Sequence, residues 1–382
     1  MSLRLAGLGW VTPLGNGLGE VWEKLLAGAE ATARPVESSL GKGREYPVFQ
    51  VPPEATAEAA RYPRLRRASA ISRFAVLAGL AALRDAGIEL EEASAARTAL
   101  VFAISNGGVV YTKRFYHEIV QSGAGAASPL LFPETVFNAP ASHLAAILGI
   151  AGTSYTVVGD GAVGVLALRM AEDLMLNREL DRCLVVGAEE ADWLLCDAYR
   201  RWRLLRPAPP IEPFALPPRG MILSEGAGAV VLAREGQVGL ERAHAGGNFF
   251  RRNELARQLK AICAEVRGEG PVDLLIGSAN GTFIDEAEEA ALEKFFAKAA
   301  SYTVKPALGE SVAAGGLWQL ICAALALRSQ ELPPILHAPE RPGLTRTPTG
   351  RNREAAWRRA VVTTCGLNQQ VGALVLSNDD PT

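Results

Sequence analysis

The segment Ser154–Leu168, SYTVVGDGAVGVLAL, joins a β-rich run to an amphipathic helix through a turn that holds Gly159, Gly161 and Gly164. Tyrosine and β-branched residues in Tyr155–Val158 favour a strand, and the apolar spacing from Val163 to Asn177 predicts a helix. A strand that turns this sharply into a helix puts one residue at the tip of the bend. Backbone N–H groups and the helix dipole stabilise an anion there, and a thiolate nucleophile exploits that position. The tip residue here is Gly161, flanked by Asp160 and Ala162. The frame of a covalent catalyst is present and the reacting atom is absent.

The rest of the chain alternates strand and helix patterns, which predicts an α/β layered fold. Thr98–Ile104 (TALVFAI) is a continuous apolar run, the signature of a strand buried on both faces. LVVGAEE, GAVVLARE, DLLIGSAN and AVVTTCGL read as further strands. Helical spacing marks Glu20–Leu26, Ile71–Asp85, Glu254–Arg267, Glu286–Ala299 and Ala313–Ser329. Apolar residues make up 49% of the 382, enough for a large core. A net charge of −2 gives no reason to expect nucleic acid. No run of about 18 apolar residues predicts a membrane span. The opening MSLRLAGLGW reads as a strand rather than a signal peptide. Five scattered cysteines are expected to be reduced, which places the chain in the cytoplasm. Neither Cys nor His recurs at chelating spacing, so no metal site is expected.

Several segments follow one another in an order that resembles the β-ketoacyl synthases, the condensing enzymes of fatty acid and polyketide synthesis. They are LAGLGWVTPLGNGLGEVWEKLLAG, ISRFAVLAGLAALRDAGI, ISNGG, FNAPASHLAAILGIAG, the elbow, CLVVGAEE and EPFALPPRGMILSEGAGAVVL. The resemblance implies a thiolase-like five-layered αβαβα fold from two similar halves, residues 1–235 and 236–382, each a mixed sheet covered by helices. It also implies a dimer contact around Cys183–Glu190. The elbow glycines spell GxGxxG, with Glu189 or Glu190 as a possible ribose acid. The family segments on either side favour the elbow reading, and no cofactor is expected.

In that family the elbow carries a cysteine, and Gly161 stands in its slot. Two histidines complete the set. The first heads an H-G-T loop, read here as Asn280-Gly281-Thr282; Asp285 and Glu288 would follow it on the next helix. The second belongs to K-x-x-x-G-H, read here as Lys305 to Glu310. Cys-His-His thus becomes Gly161, Asn280 and Glu310, with Lys305 kept. The family's gating G-F-G-G becomes a stretch in which Leu367 takes the Phe slot and Asn368 and Gln369 replace glycines. Those glycines and the Phe shape an oxyanion hole. Cys365, Leu367 and Asn368 are the substrate-side candidates. Cys183, Cys263 and Cys322 read as small buried hydrophobes and His143 as a packing residue. Asp160 could cap the elbow helix, Asn280 could hold the Gly281-Thr282 turn, and Glu310 could pair with Lys305.

Gly161 cannot hold an acyl group, and an anionic Glu310 beside a developing oxyanion has the wrong sign. Three functions fit this set. One is a silent subunit like the chain length factors, which lack the active cysteine and pair with a competent ketosynthase in fatty acid or polyene-type polyketide synthesis. Another is an acyl-thioester enzyme of altered chemistry that uses Asp160, Asn280 and Glu310 for acyl transfer, hydrolysis or decarboxylation, and requires Asp160 and Glu310 to flank one substrate. The last is a non-catalytic binder of acyl chains or carrier protein. The partners expected are an active ketosynthase or a second copy, and an acyl carrier protein at a basic cluster that includes Arg64, Arg66 and Arg67.

Overall fold

The computed structural model describes residues 3–39, 43–268, 270–339 and 356–378. The first half carries β1 (Leu3–Val11), β2 (Ala33–Glu37), β3 (Glu45–Phe49), β4 (Thr98–Ile104), β5 (Ser154–Val158), β6 (Arg182–Glu189), β7 (Leu223–Ser224) and β8 (Gly226–Ala233). The second carries β9 (Val238–Asn248), β10 (Leu274–Ile276), β11 (Ala300–Tyr302), β12 (Arg359–Cys365) and β13 (Gln370–Ser377). The helices of the first half are α1 (Leu18–Leu26), α2 (Ala70–Asp85), α3 (Glu92–Ala96), α4 (Val109–Ser122), α5 (Ala139–Leu148), α6 (Val163–Leu174) and α7 (Trp193–Arg201). Those of the second are α8 (Leu255–Gly268), α9 (Ile284–Phe295), α10 (Lys305–Leu308) and α11 (Gly315–Ser329).

Each half builds a mixed sheet with one strand order, third-second-fourth-fifth-first: β5-β4-β6-β8-β1 and β11-β10-β12-β13-β9. In both, the first two pairings are parallel and the last two antiparallel. The halves are not separate sheets. β1 and β9 pair antiparallel through Leu3–Leu240, Arg4–Gly239 and Leu5–Val238, fusing them into one ten-stranded sheet. β2, β3 and β7 form a small sheet of their own.

Side-chain alternation sorts the core into three large apolar clusters, with a fourth, small one around Phe49 and Ile222. On β4, Leu100, Phe102 and Ile104 pack with α2 and α5, while Val101 and Ala103 point to the opposite face. That second face meets α6 and α11, which also touch β9 and β12 of the other half. On β12, Ala360 and Val362 join this central cluster, and Val361 joins the cluster under α8. The layers therefore run helix, sheet, helix, sheet, helix, in a thiolase-like five-layered fold. α11 lies in the middle layer and buries 13 of its 15 residues, so it has no polar stripe.

Some boundaries differ from the sequence expectations. The elbow helix ends at Leu174, not Asn177. α9 spans Ile284–Phe295, because Ala300–Tyr302 is drawn into the sheet beside β10. The innermost helix starts at Gly315. The Pro-rich stretch from Pro333 to Pro348 lies outside the described residues beyond 339. The strand expected to carry a dimer contact lies inside the sheet: β6 has β4 on one side and β8 on the other, so its backbone groups are already paired. The free edge of this half is β5, where Tyr155 is 46% and Val158 52% exposed. Among the described residues no helix is long and apolar enough to cross a membrane.

Candidate functional site

At the elbow, β5 delivers Gly159 to Ala162 to the start of α6. Gly161 sits at the tip with the second half of the chain closed over it. A Cβ there would lie 2.9 Å from the Cys365 carbonyl oxygen and 3.2 Å from Gly366 Cα. The tip of the elbow is thus closed to a side chain unless the Cys365-Gly366 backbone shifts. Asp160 does not cap α6, whose N-cap is Ala162. Its carboxylate turns to the Gly366–Gln369 segment. Oδ1 accepts from Gly161 N at 2.7 Å and Leu367 N at 3.1 Å, and Oδ2 accepts from Asn368 N at 2.8 Å and Gln369 N at 3.1 Å. Gly366 permits that approach, since a Cβ on it would fall 2.1 Å from Asp160 Oδ2.

Asn280 and Glu310, the other two candidates, meet in the interior. Asn280 Nδ2 donates to Glu310 Oε2 at 2.7 Å, and Lys305 Nζ donates to Glu310 Oε1 at 2.6 Å. Asn280 Oδ1 accepts from the Thr282 hydroxyl at 2.6 Å and from Thr282 N at 3.2 Å, which holds the turn. Asn280, Thr282, Lys305 and Glu310 are all buried. Both Glu310 oxygens accept from N–H donors, so this side chain offers no proton to an enolate.

Two acids on α9 fasten the Asn280 loop. Asp285 accepts from Asn280 N and Gly281 N, each at 2.9 Å, and from Phe214 N at 2.7 Å. Glu288 accepts from Ser278 N and Ala279 N, each at 2.7 Å, and from the Thr363 hydroxyl at 2.8 Å. Burial pushes Asp285 up to about 7 and raises Glu288 too. These contacts attach the Asn280 loop to β12, next to Cys365, whose N–H donates to Ser278 Oγ at 3.0 Å.

Cys365 is buried, and burial drives its thiol well above the usual range, so it is no reserve nucleophile. Cys183, Cys196 and Cys263 are each pushed up to about 12 by burial, and Cys322 is raised as well. Leu367 is buried against the α8 cluster, and Asn368 is exposed.

Sequence reading raised Glu189 and Glu190 only as a possible ribose acid and placed neither of them beside Glu310. Asn106, Glu189, Glu190, Tyr199 and Ser224 line a small cavity with it. Glu189 Oε2 accepts from Asn106 N at 3.1 Å, whereas Glu189 Oε1, Glu190 Oε1 and Ser224 Oγ find no hydrogen-bond partner. Burial pushes Glu189 up to about 8 and Glu190 to about 7. Glu189 and Glu190 thus serve an interior polar pocket. Their one sequence signal was two adjacent acids at the end of an apolar strand.

Arg64, Arg66 and Arg67 are exposed between the short turns before α2. Arg64 Nε donates to His143 Nδ1 at 3.1 Å, and His143 Nε2 is 2.5 Å from Glu134 Oε1. His143 therefore bridges charged groups and is not an apolar packing residue. Among the described residues no group of His, Cys, Asp and Glu is placed to hold a metal ion.

Residues 4–237 match the family described as Beta-ketoacyl synthase, N-terminal domain, and residues 241–339 match its C-terminal domain. The 3-oxoacyl-acyl-carrier-protein synthase 2 of Coxiella burnetii is 22% identical over 369 residues, covering 87% of each chain. The ishigamide ketosynthase/chain length factor superposes with a TM-score of 0.84 at 22% identity, covering 99% of both chains. A type II polyketide ketosynthase, solved in complex with its acyl-carrier protein, gives 0.82 at 16% identity, again over 99% of both chains. These superpositions establish the fold.

Proposed function

Since this chain belongs to the β-ketoacyl synthase family, we propose that it is a silent ketosynthase-like subunit that pairs, as a chain length factor does, with an active β-ketoacyl-carrier-protein synthase. The pathway class is fatty acid or polyene-type polyketide synthesis. The observation that carries this reading is the closed elbow: Gly161 has no reacting atom, and the Cys365-Gly366 backbone leaves no space for one. The Lys305–Glu310–Asn280 network supports it, because the groups standing in the histidine slots satisfy one another.

The free edge of β5 is the surface we assign to the partner synthase. Large apolar side chains stand exposed on it and on the first half's surface loops and helices, including Tyr116 at 61%, Leu130 at 67% and Phe132 at 56%. Exposed apolar surface rimmed by polar groups marks protein interfaces. Arg64, Arg66 and Arg67 are the proposed contact for an acidic carrier protein.

An acid–base enzyme built on Asp160 and Glu310 would need both carboxylates turned to one substrate. Each is instead committed to its own set of N–H donors. The deciding experiment is affinity purification of the tagged chain from its host, with the co-purifying chains identified and weighed. A one-to-one complex with a synthase that retains Cys-His-His is expected. A clean homodimer that turns over acyl thioesters would overturn the proposal.

A further inference from the structure

Asp160 Oδ1 receives two backbone N–H groups from different parts of the chain, Gly161 N at 2.7 Å from the elbow and Leu367 N at 3.1 Å from the segment between β12 and β13. Two main-chain donors converging on one oxygen at about 2.7–3.1 Å is the geometry by which an oxyanion hole stabilises developing charge. Asn368 N and Gln369 N hold the second oxygen. We propose that the Asp160 carboxylate is a built-in occupant of this chain's anion-binding cradle, seated where a thioester carbonyl oxygen or free carboxylate would otherwise bind. The inference rests on the family reading above, which places an oxyanion hole at the gating stretch and an anion-stabilising turn at the elbow.

Three observations converge on it. All four donors are main-chain N–H groups, so the cradle is built by the backbone rather than by side chains. Gly366 has no Cβ where one would collide with Oδ2, so the turn can press onto the carboxylate. The same turn carries the Cys365 carbonyl and Gly366 Cα against Gly161. Seating the carboxylate and shutting the nucleophile slot are therefore one structural event. Silence in this chain comes from occupation as well as from deletion. Removing the plug should expose a site for small carboxylates that the intact protein does not offer.

The test is chemical complementation in the full-length protein. Amide hydrogen exchange at residues 367–369 is measured for the wild type, Asp160→Ala and Asp160→Asn, with and without formate. In Asp160→Ala, protection at 367–369 should fall about 10-fold or more, the scale of a lost charge-assisted hydrogen bond, and formate should restore it in a saturable way. The wild type should not respond to formate, because its cradle is filled. Asp160→Asn has one accepting oxygen, so it should keep protection at one donor set, 367 or 368–369, and lose it at the other, where an amide NH2 meets N–H. Unchanged protection in Asp160→Ala, or a loss that formate does not reverse, would overturn the proposal. If Asp160→Ala does not fold, the pattern across 367–369 in Asp160→Asn decides. Partner capture by the same variants separates this inference from the subunit reading. Loss of the formate response with capture intact refutes the plug alone, and a formate response without any synthase partner refutes the subunit alone.

Discussion

Lys305 and Glu310 form a buried ion pair, Nζ to Oε1 at 2.6 Å, with side chains only 5% exposed on each partner. Asn280 takes the remaining Glu310 oxygen, so this carboxylate is paired with an ammonium on one side and hydrogen-bonded to an amide on the other.

That pairing makes the single substitutions costly. Lys305→Met should destabilise the protein by about 3–5 kcal/mol, because it strands a carboxylate in the interior. Adding Glu310→Gln should recover most of the loss, since a neutral amide no longer needs the ammonium. Denaturant unfolding of the two single variants and the double variant measures the coupling, and simple additivity would refute it.

Restoring the family nucleophile should not restore chemistry. Gly161→Cys places a Cβ against the Cys365 carbonyl oxygen and should cost about 1–3 kcal/mol through overpacking. The thiol should show no acylation by acyl thioesters above the Gly161 background. Mass spectrometry of the intact protein reads the outcome directly, and stoichiometric acylation would show that the slot opens on its own.

Glu189, held up at about 8 by burial, ties stability to pH. It stays protonated in the folded chain while the unfolded chain ionises from about 4.3 upward. The native state then binds more protons, so stability falls as pH rises between these limits and levels off above about 8. Its contribution is fully present below the unfolded value and lost as pH rises through the folded one. Glu189→Gln, with no charge to bury, should gain on the wild type steadily from acidic to mildly alkaline pH. Unfolding midpoints across that range check the sign.

The β5 edge is testable by one charge. Val158→Asp alters a half-exposed residue outside the buried core, so the fold should survive. Capture of a partner synthase should drop by about 10-fold or more, as expected when a charge enters the apolar centre of an interface. Size-exclusion chromatography with the co-expressed partner provides the measurement, and unchanged capture would move the interface elsewhere.

The strand-turn-helix at Ser154–Leu168, the doubly buried Thr98–Ile104 and the order of the flanking segments were all legible in the sequence. Each is a local pattern, set by apolar period, glycine placement and β-branched content over a few residues. The residues we propose to stand in the catalytic slots, Gly161, Asn280 and Glu310, were equally legible as identities, since they are read off position by position. The fusion of the two halves through three residue pairs was not legible, because strand pairing across 235 positions leaves no local trace. For the same reason the free edge fell to β5 rather than to the apolar strand Arg182–Glu189, as edge and centre differ only in which neighbours arrive. Only the tertiary structure turned Asp160 from a helix cap into the holder of a turn some 207 positions away, and brought Glu189 and Glu190 to the pocket beside Glu310. A side chain's residue type says which bonds it can make. The folded backbone decides which donors reach it, and here the donors belong to the other half of the chain.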